Sequence, residues 1–137
     1  MGTTSAALVD ADCSIDGALT NFRLIRAVAV GAGFQAECLR DLRADAFLLD
    51  AFDTKLLGGT GKPFDWSLAR EAKQFGTIIL AGGLSPENVA QAVREVQPFA
   101  VDVASGVEAT PGVKDADKLR AFFREVESAD RSFEHAN

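Results

Sequence analysis

The chain has 137 residues, 47% hydrophobic and 25% charged, a composition that suits a globular domain and excludes a disordered chain. At 14.5 kDa it can build one core but falls well short of the ~250 residues of a complete (β/α)8 barrel. A formal charge of −6 argues against nucleic acid as a partner, and no apolar run approaches the ~18–20 residues that cross a membrane.

The N-terminus lacks the basic start and apolar run of a secretory signal, so the expected compartment is the cytoplasm. Residues 1–22 fit no clear pattern beyond a strand remnant at 6–9 and a short helix at 16–22. From there the order is regular. Residues 24–30 (LIRAVAV) read as a strand and 34–43 as a helix with Phe34, Cys38 and Leu42 on one face. Residues 46–49 (AFLL) are a second strand, followed by a helix over 66–75 that presents Leu68, Ala72 and Phe75. A third strand at 77–80 (TIIL) precedes a helix at 89–96 with Val89, Val93 and Val96 together. A fourth at 99–103 (FAVDV) precedes a helix at 118–126 carrying Leu119, Phe122, Phe123 and Val126. The apolar runs show no strict polar alternation, as in a parallel sheet covered by helices. Strict β-α alternation with short loops gives an α/β class with right-handed crossovers.

The expected domain covers 23–128, followed by a polar, frayed tail over 129–137. Ser85-Pro86-Glu87 signals one helix start, Asp65 another, and Asp115 or Asp117 the last. Cys13 and Cys38 lie 25 residues apart with only His135 for company, which suggests neither zinc nor a disulfide; both read as small buried thiols.

Five segments carry chemical signals. Gly31-Ala32-Gly33-Phe34-Gln35-Ala36 follows a strand and precedes one that ends in Asp50, the form of a dinucleotide-binding fingerprint; alone, such a motif is weak. Gly58-Gly59-Thr60-Gly61-Lys62-Pro63 is not a P-loop, because Leu56 and Pro63 stand where glycine and Ser/Thr are needed. Its position between strand and helix suits a lid of Gly58, Gly59, Thr60 and Gly61 over a ligand, or else a plain surface loop. Ala81-Gly82-Gly83-Leu84-Ser85-Pro86 and Ala104-Ser105-Gly106-Val107 lie just past two adjacent strands, where glycines let backbone N–H groups approach an anion. Asp50 ends an apolar strand and is a candidate acid, since an apolar setting favours the protonated carboxyl. Asp102, inside a strand, reads as structural.

Taken in order, LLDA (48–51), GGTGKPFDW (58–66), ILAGGLSPENV (79–89) and VDVASGVEATPGVKD (101–115) resemble the phosphoribosylanthranilate isomerase family of tryptophan biosynthesis over residues 24–126. The resemblance implies four consecutive βα units forming the C-terminal half of a (β/α)8 barrel, its fifth to eighth strands. It also implies an Amadori rearrangement of N-(5-phosphoribosyl)anthranilate to 1-(2-carboxyphenylamino)-1-deoxyribulose 5-phosphate, without metal or cofactor. By the resemblance Asp50 is the general acid that opens the ribose ring, Gly82, Gly83, Ser105 and Gly106 hold the phosphate, and the Gly58–Gly61 segment covers the substrate. The family's cysteine base lies in a Lys-Ile-Cys-Gly motif, and an arginine follows its second strand; neither motif occurs here, and Ala104 replaces a serine common before Ser105.

The expectation is therefore a partial barrel that takes a phosphorylated small molecule and completes itself through a homo-oligomer or a complementing N-terminal half. The alternatives are a non-catalytic phosphate-binding half-barrel that pairs with itself or another chain and, with less support, a small dinucleotide-binding Rossmann protein. A half-barrel leaves two strand edges unpaired and exposes its interior face, formed by Ile25, Ala27, Phe47 or Val101 according to register.

Overall fold

The computed structural model describes residues 23–31, 33–51 and 65–134. The segment Gly58–Gly61, expected to cover a ligand, and Ala32, Cys13 and His135 lie outside them. Four parallel strands form one sheet: β1 (Ile25–Val30), β2 (Ala46–Ala51), β3 (Ile78–Ala81) and β4 (Ala100–Val101), in the order β1-β2-β3-β4. Helices α1 (Trp66–Ala72), α2 (Val89–Val96) and α3 (Ala116–Glu134) fill the connections, with a small antiparallel hairpin of β5 (Glu108–Thr110) and β6 (Val113–Lys114) before α3.

Strand order decides between the two architectures the sequence allowed. A doubly wound dinucleotide fold places its fingerprint strand centrally and reverses direction there. Here β1 is an edge strand and β4 pairs with β3, so every strand neighbours its predecessor. The Gly31–Gly33 loop opens onto no helix of useful length, and a Cβ added to either glycine meets nothing within 4 Å. The Rossmann reading is corrected on both counts.

Register sorts the strand residues onto two faces. Val28, Leu49, Leu80 and Val101 form one row and Phe47 pairs with Ile78 in the next such row, all on the helix-covered face. Phe47, Leu49 and Leu80 are fully buried there, packing with Trp66, Ala69, Val89, Val93, Val96 and Phe122 into one core. The opposite face carries Ile25, Ala27, Ala29, Leu48, Asp50, Ile79 and Ala100. Phe47 and Val101 thus belong to the core and not to the open face, because they alternate in phase with Leu49. On the open face Ile25 is 55% exposed, and at the strand starts Leu24 and Phe99 are 53% and 80% exposed.

Three local expectations change. Between β1 and β2 the expected helix is a single 3₁₀ turn, Ala36–Leu39, whose residues three apart, Ala36 and Leu39, are buried while Cys38 faces solvent. A 3₁₀ turn rises ~2.0 Å per residue against 1.5 Å for an α-helix and stacks positions i and i+3, so the pairing of Cys38 with Leu42 is lost. Second, the polar tail is helical as far as Glu134: α3 continues past 128, with Ala129 fully buried and Phe133 packed against the core. Its spaced Val126, Ala129 and Phe133 keep the apolar stripe alive through a polar sequence. Third, α2 spans Val89–Val96 as the apolar spacing predicts, but Ser85-Pro86-Glu87 does not open it: its N-cap is Asn88, and Ser85 and Asn88 together close the turn before it.

Candidate functional site

The C-terminal ends of the strands carry the chemically distinctive residues. Asp50, next to the end of β2, is half-buried on the open face and lies in register between Ala29 of β1 and Ala81 of β3. Alanine on both flanks leaves room in front of the carboxyl. No described residue donates a hydrogen bond to it. Past β4 the Asp102 N–H donates to the Leu80 carbonyl at 2.8 Å, extending the pairing one step. Asp102 is therefore exposed in the row of Ala81 and Asp50, not inside the strand as its sequence suggested. Two strand spacings set the backbones of Asp50 and Asp102 roughly 10 Å apart. The alternation of Ala100 and Asp102 was the signal for this.

Directly after β3, Gly82 and Gly83 take φ values of 79° and 64°, a left-handed pair that residues with a Cβ adopt only under strain. Their turn is anchored to the start of α2. Asn88 Nδ2 donates to the Gly83 carbonyl at 2.9 Å, while Asn88 Oδ1 accepts the Ser85 N–H at 2.9 Å. The Ser85 hydroxyl in turn accepts the Glu87 N–H at 3.3 Å, so Ser85 and Asn88 lock the turn that precedes α2, whose N-cap is Asn88 and not Ser85. The same hydroxyl holds the Glu87 carboxyl below its usual range.

After β4 the chain makes a 3₁₀ turn at Ser105–Val107. A Cβ on Gly106 would overlap the Leu84 carbonyl oxygen, so this glycine is what lets the two loops touch. The pair Gly82-Gly83 and the pair Ser105-Gly106 are thereby brought side by side. Among the described residues nothing accepts from the N–H groups of Gly83, Ser105 or Gly106. The site residues expected from the sequence thus fall at one sheet edge, except Gly58, Gly59, Thr60 and Gly61, which lie outside the described residues.

The hairpin β5–β6 was not read from the sequence, although Thr110-Pro111-Gly112-Val113 is the composition of a type II turn and Gly112 has φ 82°. It carries Lys114, whose Nζ donates to the Ala104 carbonyl at 2.7 Å and to Glu108 Oε1 at 3.0 Å. The Lys114 ammonium, then the Gly112 N–H, hold the Glu108 carboxyl below its usual range. Lys118 Nζ donates to the Glu108 carbonyl at 2.7 Å. Asp115 Oδ1 accepts the N–H groups of Asp117 and Lys118, both at 2.9 Å, which caps α3 and settles the choice between Asp115 and Asp117. The Lys118 N–H is the main reason the Asp115 carboxyl sits below its usual value.

Among the described residues no cluster of His, Cys, Asp and Glu is arranged to hold a metal ion, and no helix is long and apolar enough to cross a membrane.

Comparison with known proteins identifies the family. The family model described as N-(5'-phosphoribosyl)anthranilate (PRA) isomerase matches residues 12–125. The N-(5'-phosphoribosyl)anthranilate isomerase of Trichlorobacter lovleyi is 50% identical over 108 residues, covering 78% of this chain and 53% of that protein. The crystal structure of phosphoribosyl anthranilate isomerase from Thermotoga maritima superposes with a TM-score of 0.63 at 40% identity, over 79% of this chain and 53% of that one. Another structure of the enzyme, in complex with reduced 1-(o-carboxyphenylamino)-1-deoxyribulose 5-phosphate, matches with a TM-score of 0.58 at 37% identity, over 76% and 48%. The chain spans about half the length of the curated relatives it matches. With its barrel-type neighbours, sequential parallel sheet and family match, the chain belongs to the N-(5'-phosphoribosyl)anthranilate isomerase family.

Proposed function

We propose that the four described βα units are the fifth to eighth of the isomerase barrel and supply its acid and phosphate site. The observation that carries this is the contact between two glycine loops at Gly106 and Leu84, one step along the sheet from Asp50. In this reading the free N–H groups of Gly83, Ser105 and Gly106, with Gly82 for the turn, surround the substrate phosphate. Asp50 gives its proton to the ribose ring oxygen as the C1–O bond breaks and the anilino nitrogen lone pair forms the iminium. A base supplied by the other half of the barrel then takes the C2 proton. The electron pair left behind gives an enolamine, which tautomerises to the ketone, so the reaction is an isomerisation with no net redox change. The Gly58–Gly61 segment covers the substrate, and the setting is the cytoplasm, where amino-acid biosynthesis runs.

The test is complementation. Mixed with a chain carrying the first four units of a family member, this protein is expected to yield isomerase activity, and Asp50→Asn to abolish it. Activity that survives Asp50→Asn removes the aspartate from its role.

The second reading is a phosphate-binding half-barrel that pairs with itself. Its support is the exposed apolar rim formed by Leu24, Ile25 and Phe99 at the two edge strands. Phosphate binding with no activity in any mixture is the result that selects it.

A further inference from the structure

We propose that Lys114 is the positioning residue of the phosphate loop, acting through the Ala104 carbonyl and not as a ligand. The inference rests on the phosphate role proposed above for Ser105 and Gly106. In a trans peptide the carbonyl and the following N–H point in opposite directions. Lys114 Nζ holds the Ala104 oxygen at 2.7 Å, so the Ser105 N–H is turned away from the hairpin. The Val107 N–H reaches the same oxygen at only 3.5 Å, which leaves the lysine as the shorter tether.

The lysine is itself fixed. Glu108 Oε1 lies 3.0 Å from its Nζ, and Lys118 Nζ grips the Glu108 carbonyl from α3. The Asp115 N–H donates to the Val107 carbonyl at 2.8 Å, tying the far end of the 3₁₀ turn to the start of α3. On its other side Gly106 is seated against Leu84. The turn is therefore held between the β3 loop and a brace of hairpin and helix. The Ala104 carbonyl and the Glu108 carboxylate take two of the three ammonium donors, so the lysine is committed first to the brace.

The experiment is titration of inorganic phosphate into the full chain, followed by backbone amide shifts in the wild type and four variants. Wild type is expected to show saturable shifts at Gly83, Ser105 and Gly106. Lys114→Met is expected to weaken binding about tenfold, the scale of one charged hydrogen bond, and to move the Ser105 amide already in the phosphate-free protein. Lys114→Arg, which keeps a charged donor, is expected to restore most of the affinity. Lys73 offers the matched comparison, because its Nζ also tethers two carbonyls, those of Val96 and Gln97, away from the loop. Lys73→Met is expected to leave phosphate affinity unchanged. Glu108→Gln separates tether from ligand: a freed lysine that bound phosphate would tighten binding, whereas a loosened brace weakens it.

Unchanged affinity in Lys114→Met, an equal loss in Lys73→Met, or tighter binding in Glu108→Gln overturns the positioning role while leaving the phosphate site standing. No shifts at these amides in wild type overturns both.

Discussion

A methyl group is the smallest change that tests the site, and Gly106 is where it has most to say. With a Cβ there, either the 3₁₀ turn or the Leu84 peptide has to move. Gly106→Ala is expected to cost about 1–3 kcal/mol in urea unfolding, the usual range for forcing extra volume into a packed contact, and to remove phosphate-induced amide shifts. At Gly82 and Gly83 the penalty is conformational instead: alanine at φ near 79° or 64° costs about 1–2 kcal/mol each. Equal stabilities of wild type and Gly106→Ala would show that the two loops are not interlocked. The placement of these glycines, Asp50 and Ser105 past the strand ends is legible in the sequence because a motif at a strand end is local. The contact of Lys114 is not legible there, since it is made to Ala104, ten residues away and brought near only by the hairpin. Asp102 lies one residue past β4, held by its N–H to the Leu80 carbonyl, so its side chain is exposed where the apolar run alone suggests a strand interior.

Elements were legible where their boundaries are set by the chain itself. The spans of α1 with its 3₁₀ extension to Phe75, and of α2, agree with the apolar spacing, and Asp65 caps α1 by accepting the Ser67 N–H at 3.0 Å. The connection from β1 to β2 misled because a periodic apolar pattern fits a 3₁₀ turn and an α-helix about equally well over so few residues. On α3 the structure separates two adjacent aromatics: Phe122 is buried in the core and Phe123 is 61% exposed. Phe122→Ala is expected to cost about 3–5 kcal/mol and Phe123→Ala almost nothing in the chain alone, as read by denaturant midpoints. A comparable loss at both would mean that Phe123 is covered.

The cap of α3 adds a pH dependence whose sign is fixed. Asp115 has its folded pKa below the unfolded value of 3.8, so its contribution is complete above that value and is lost as pH falls through the lower folded one. Glu87 and Glu108 are depressed from 4.5 and act in the same direction. Thermal scans from about pH 6 to about pH 2 should show a shallower acid decline in Asp115→Asn than in wild type. A parallel decline would assign the acid sensitivity elsewhere.

At the scale of the molecule, the sheet has one face covered by helices and one face open, with both edges unpaired among the described residues. The α/β class and the order of units followed from sequence, but which residues face outward did not. A one-residue change of phase exchanges the two faces, and the runs are apolar on both. The exposed Leu24, Ile25 and Phe99 predict self-association of the isolated chain at micromolar concentration, with binding of a hydrophobic dye that falls when a complementing half is added. A monomer in light scattering that binds no dye would count against an open face. Replacing Ile25 and Phe99 with serine should reduce association without loss of helix content, since neither belongs to the core.

The sequential strand order also has a consequence in time. Paired strands are separated by only 21, 31 and 21 residues from first partner to first partner, so each unit can dock on its predecessor as soon as it leaves the ribosome. The contact of Gly106 with Leu84 is different, because it requires the third and fourth units and the turn beyond them. During synthesis the sheet can be largely in place before the two glycine loops interlock, and α3, which emerges after them, then covers the helix layer behind.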